Sequence, residues 1–170
     1  MAGAAGATGG AGVKRAPIGR TWRHRVYKGH LARLTAVRRD LVRDLAGFDS
    51  DLTETLVLCG SELFANAVKY TASGARGGRV VRTLWTDGRG GVRLGFTDEG
   101  CGGTLPEIPK ARSAEEWDWA EGQRGLLMVQ ELSTGWGYLS LCRWGDLGHH
   151  IWADFGPVRP GRPTCPEGTT

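Results

Sequence analysis

Ser61-Glu62-Leu63-Phe64-Ala65-Asn66-Ala67-Val68-Lys69-Tyr70 is the stretch on which the reading of this chain turns. Leu52, Leu56, Val57, Leu63, Phe64, Ala67 and Val68 recur through it and the residues before it with a helical period. Their apolar stripe is wide, as in a helix packed on a sheet. Glu62 and Asn66 stand four residues apart, so they share one face and lie one turn from each other. Packing gives no reason for two oxygen-bearing groups there, because each must be satisfied or costs free energy. A hard cation with a phosphate beside it would satisfy both.

Outward from this helix the chain alternates helical and extended patterns. Leu31, Leu34, Val37, Leu41 and Leu45 predict an amphipathic helix over 30–46, stopped by Gly47. Asp51 with Glu54 three residues on predicts the start of the next helix, with Asp51 as its cap. Residues 21–26 fit a short edge strand, and 73–78 a loop. Residues 80–86 and 92–97 read as strands joined by the turn Asp87-Gly88-Arg89-Gly90-Gly91. Residues 123–133 predict a third helix, and 136–142 with 149–155 a closing hairpin. Between them, 99–121 is an irregular connection of the length common in functional lids. The expected fold class is an α+β two-layer sandwich, with three main helices on one face of a mixed, mostly antiparallel sheet. Residues 21–155 form its single domain, flanked by flexible tails at 1–20 and 156–170.

Two further segments carry chemistry. Thr97-Asp98-Glu99-Gly100-Cys101-Gly102-Gly103 follows a strand, and Gly122-Gln123-Arg124-Gly125-Leu126 opens a helix. An acid at a strand end before glycines is by itself an ordinary turn signal. A dinucleotide-binding loop does not fit, because no glycine follows at the third position, no helix begins there and an acid precedes the loop. No Gly-Lys-Ser/Thr occurs, which excludes a Walker A loop. A helix start flanked by Gly122 and Gly125 offers free N–H groups and the positive dipole end to an anion.

The order of acid-plus-amide helix, strand with Asp-x-Gly-x-Gly, and glycine-flanked helix start resembles the nucleotide-binding half of the GHKL ATPase/kinase superfamily (the Bergerat fold). Within it the chain is most similar to the anti-sigma-factor serine/threonine kinases, over about residues 21–155. The resemblance implies ATP and Mg²⁺ as cofactors. It assigns Glu62 as general base and Asn66 as the Mg²⁺ ligand, with Lys69 reaching a phosphate. It assigns Asp98 to the exocyclic amine of adenine, and Gly100 and Gly102 to close backbone approach beside the nucleotide. Gly122, Arg124, Gly125 and Leu126 would hold the phosphates. The family usually has glycine where this chain has Gln123, and serine kinases often have Arg-His-Thr where it has Lys69-Tyr70-Thr71. Glu62 favours water or a serine hydroxyl as nucleophile, where histidine kinases usually carry Asn. His24 and His30 lack the acid and proline that follow a phosphoacceptor histidine, and are read as surface residues.

The function so implied is an ATP-dependent kinase that sequesters a sigma factor and phosphorylates a small anti-anti-sigma (STAS-type) partner, as a homodimer. A non-catalytic ATP-binding module and a detached histidine-kinase-like catalytic domain remain as alternatives. With 170 residues there is room for one core. No apolar run reaches membrane-spanning length, and the N-terminus lacks a signal-peptide pattern, so the cytoplasm is expected. Cys59, Cys101, Cys142 and Cys165 are scattered without C-x-x-C spacing, which disfavours zinc and a disulfide framework. The formal charge is +4, with arginines clustered from Arg20 to Arg43. Nucleic acid would use such a cluster. Apolar positions interleave with Arg38, Arg39 and Arg43, so a solvated helix face or a surface for an acidic protein fits better.

Overall fold

The computed structural model describes residues 19–86, 90–100, 124–141 and 148–156. Among the described residues five strands form one sheet: β1 (Arg25–Lys28), β2 (Arg79–Thr86), β3 (Val92–Thr97), β4 (Gly135–Ser140) and β5 (His149–Phe155). Their order is β1-β2-β3-β5-β4, and every pair is antiparallel. The sheet thus lies at the antiparallel end of the mixed arrangement anticipated. Helices α1 (Leu34–Asp44), α2 (Ser50–Tyr70) and α3 (Arg124–Leu132) complete an α+β fold. None of the described helices is long and apolar enough to cross a membrane.

Alternation along the strands produces the core. Val80, Leu84, Leu94, Phe96, Ile151 and Ala153 all point to the buried face, and the pairs Leu84↔Leu94, Leu94↔Ala153 and Phe96↔Ile151 align them across three strands. Leu56, Leu63, Phe64 and Ala67 of α2 pack on this surface, with Phe64 edge-on to Phe96 at 6.2 Å between ring centroids. Gly60 lets α2 approach closely. A Cβ there would lie 2.8 Å from Leu41 of α1 and 3.0 Å from Leu94. The apolar stripe read from the sequence is therefore the helix–sheet interface itself.

One charged network sits inside this core. Arg82 is fully buried, and its guanidinium donates to Asp44 at the end of α1. Arg25 of β1 grips the same carboxylate with two hydrogen bonds, at 2.9 and 2.6 Å. Burial alone would raise the Asp44 carboxyl, but the hydrogen bonds and charge of Arg25 and Arg82 outweigh it and hold the group below its usual range. Burial and the nearby Asp40 carboxylate push Tyr27 up to about 12. Arg39 and Arg43 of the basic helix pair with Asp40, and Arg38 donates to Ser61 of α2 at 2.8 Å.

Several boundaries differ from those the sequence predicts. The edge strand runs 25–28, with Thr21 making only an isolated bridge to Trp85, because Trp22 turns inward and donates its indole N–H to the Asp44 carbonyl. The cap of α2 is Asp49, whose side chain accepts from Leu52 N at 3.0 Å, two residues before Asp51. The first helix begins as a 3₁₀ turn, Leu31–Arg33, before α1. The tails at 1–18 and 157–170, the connection over 101–123 and the turn over 142–147 lie outside the described residues.

Candidate nucleotide site

Helix α2 and the start of α3 meet at Glu62. Gly125 is the second residue of α3 and is buried. A Cβ built on it would overlap Glu62 Oε2 and lie 3.3 Å from the carboxylate carbon. Glycine at this position is what lets the carboxylate rest against the first turn of α3, where N–H groups have no partner within the helix. Asn66 follows one turn along α2. Both side chains are half-buried, and neither makes a hydrogen bond or ion pair with a described residue. Leu126 is buried and anchors α3 in the core beside Val129, while Arg124 at the helix start is exposed. Lys69 is exposed in the last turn of α2.

Asp98 closes β3 and is 7% exposed. Its Oδ1 accepts from Gly100 N at 2.8 Å and from His149 N at 3.0 Å, and the His149 ring nitrogen Nδ1 lies 3.5 Å away. Its backbone N–H donates to the His149 carbonyl at 2.9 Å. Oδ1 is thus committed within the protein, while Oδ2 takes no hydrogen bond from any described residue. A carboxylate held by one oxygen and free at the other presents a fixed acceptor to an incoming N–H donor. Gly100 adopts φ +64°, the left-handed conformation that glycine takes without strain. Gly148, at φ +105°, packs so closely on the Asp98 backbone that a Cβ would stand 2.8 Å from its carbonyl carbon.

A turn following α2 joins these two ends. Ala72 N donates to the Gly100 carbonyl, and Glu99 N donates to the Ser73 hydroxyl at 2.9 Å. Both Ser73 and His149 touch the Asp98–Gly100 segment, yet the sequence places the first in a loop and the second in a closing hairpin, with no site role for either. No local spacing signals either one. His149 reaches Asp98 through β3–β5 pairing 51 residues away in the chain, and Ser73 reaches Glu99 across 26.

The described residues therefore bring Glu62 to Gly125 and tie the end of α2 to the Asp98–Gly100 turn. Gly102 and Gly122 lie outside the described residues, as does Gln123. The donor set suits a nucleotide and a hard cation: two oxygen-bearing side chains and one carboxylate oxygen without a partner among the described residues, beside a glycine at a helix start.

A search of curated proteins finds no match. The family model described as histidine kinase-like ATPase domain matches residues 27–143, which span α1, α2, the Asp98 turn and α3. With that match covering more than half of its length, and with this sheet and helix arrangement, the chain belongs to the histidine kinase-like ATPase domain family of the GHKL superfamily and carries its ATP-binding module.

Proposed function

We propose that this module is a protein serine/threonine kinase of the anti-sigma-factor type. In this reading it binds ATP with Mg²⁺, sequesters a sigma factor in the cytoplasm, and phosphorylates a serine on a small anti-anti-sigma partner of STAS type. The observation that carries the kinase reading is the carboxylate of Glu62 resting against Gly125 at the start of α3. A base is thereby set beside the part of the fold best suited to receive phosphate oxygens.

Asn66, one turn along, would hold Mg²⁺, which supplies charge neutralisation between phosphates when bound. Asp98 would accept a hydrogen bond from the adenine amine through Oδ2. Arg124 and the N–H groups at the start of α3 would receive the phosphates, with Lys69 contributing charge from the end of α2. In the transfer, the serine oxygen bonds to the γ-phosphorus and the bond from that phosphorus to the ADP oxygen breaks. The serine proton passes to the Glu62 carboxylate. Glu62, where a histidine kinase usually has a carboxamide, supports a hydroxyl acceptor over an imidazole. Homodimerisation accompanies this reading, with the arginines of α1 near the protein-binding surface.

Incubation with γ-labelled ATP and an anti-anti-sigma partner tests it. Acid-stable label on serine is the expected result. Acid-labile label on histidine would make the chain a histidine-kinase-like catalytic domain. Nucleotide affinity without any transfer would make it a binding module.

A further inference from the structure

Ser73 lies in the 3₁₀ turn Ala72–Gly74 that follows α2 and is fully buried. Its hydroxyl donates to the Arg79 carbonyl at 2.6 Å and accepts from Glu99 N at 2.9 Å, which occupies its donor and one acceptor position. Its own N–H donates to Thr71 Oγ1 at 3.2 Å, and that hydroxyl donates to the carbonyl of Ala67, the residue after Asn66. A relay of three hydrogen bonds thus runs from the last turn of α2 to Glu99, between Asp98 and Gly100. Ala72 N adds a parallel bond to the Gly100 carbonyl. The surroundings leave this turn little room to shift. Gly29 packs on the Ser73 carbonyl so tightly that a Cβ there would collide with it, and a Cβ on Gly78 would lie 2.6 Å from the Ser73 carbonyl carbon.

Resting on the reading of Asp98 as the carboxylate that recognises the base, we infer that Ser73 is a positioning residue for adenine selection. It fixes the Asp98–Gly100 turn against the helix carrying Glu62 and Asn66, so that Oδ2 of Asp98 is held at a set place relative to the phosphate end of the site. Oδ1 is fastened from the β5 side by His149 N; Ser73 fastens the same turn from the α2 side. Without the hydroxyl, Glu99 N and the Arg79 carbonyl lose partners, and the turn keeps the Ala72–Gly100 bond but loses its anchor at Glu99. A hydrogen bond to a charged group depends on distance and angle, so a displaced Oδ2 loses its preference for the amine before the site loses its shape.

The test is calorimetric titration of the full chain, with Mg²⁺ present, using ATP and purine riboside 5′-triphosphate, which lacks the 6-amino group. The wild-type chain is expected to bind ATP at least about tenfold more tightly than the analogue, the size expected for one hydrogen bond to a charged acceptor. In Ser73→Ala the two affinities should converge to within about threefold, with the analogue's own affinity little changed. Retention of the full wild-type preference, or an equal loss for both nucleotides, would overturn the role. Should Ser73→Ala fail to fold, Ser73→Cys keeps a similar volume with a weaker donor and acceptor. A reduced preference there supports the role, and an unchanged one overturns it. A wild-type chain that binds both nucleotides equally, or neither, refutes the reading of Asp98 itself, a result distinct from a Ser73 variant that keeps the preference.

Discussion

The carboxylate of Glu62 lies directly against Gly125, so that the second residue of α3 has room for a hydrogen but not for a methyl group. The nearest atoms to a Cβ at Gly125 all belong to Glu62, and Oε2 is the end of a flexible side chain. Gly125→Ala therefore relieves the overlap by turning the carboxylate away, not by parting the helices. Alanine also favours the helix by up to about 1 kcal/mol over glycine. The variant should keep its melting temperature within a few degrees of wild type and lose most phosphoryl transfer. Thermal unfolding beside a transfer assay checks both halves, and a variant with full activity would show that the position of Glu62 does not matter.

Glu62→Gln keeps the shape of the side chain and removes its basicity. Transfer should fall by about 10²–10⁴-fold, the usual contribution of a general base. ATP affinity should stay within about threefold, because the assignment gives Glu62 no contact with the base or the metal. Single-turnover transfer and equilibrium binding measured on one preparation separate the two effects.

For Asp98→Asn the hydrogen bonds from Gly100 N and His149 N are retained, since a carboxamide still offers an oxygen at Oδ1. The amide nitrogen then replaces Oδ2 and faces the adenine amine donor to donor. Circular dichroism should remain native while ATP affinity drops at least about tenfold. Unfolding of the variant would assign Asp98 to the fold and not to the ligand.

Asp44 governs stability without touching the site. Asp44→Ala strands the buried guanidinium of Arg82 and should cost about 3–5 kcal/mol. Arg82→Met should cost less, because it removes a group whose Nε and Nη1 have no hydrogen-bond partner among the described residues. The sign of the pH dependence follows from the depressed carboxyl. Its stabilisation is fully present above the ordinary aspartate value of about 4 and is lost as pH falls through the lower folded value. Urea midpoints should be level near neutrality and decline below about pH 4 in wild type, and Asp44→Asn should flatten that decline.

Much of this architecture was legible because its signals are local. The helical period through Leu56, Leu63, Phe64 and Ala67 marks α2, and strict alternation marks β3 from Val92 to Phe96. Glu62 and Asn66 stood out as polar intrusions on an apolar helix. The cap falls at Asp49 and not at Asp51, because Asp49, Ser50 and Asp51 all offer capping oxygens and only backbone geometry selects among them. Arg82 could not be foreseen in the core. A lone arginine in an alternating strand reads as solvent-facing until Asp44, 38 residues earlier, is brought beneath it. Ser73 and His149 were hidden for the same reason, since their partners are distant in sequence.

The most direct measurement is a calorimetric titration of the wild-type chain with ATP, with and without Mg²⁺. Saturable heat for one nucleotide per chain, tightened by Mg²⁺ and weakened in Asn66→Ala, is the predicted result. An absence of heat for any adenine nucleotide with Mg²⁺ present would contradict the assignment of Glu62, Asn66 and Asp98 to one nucleotide site.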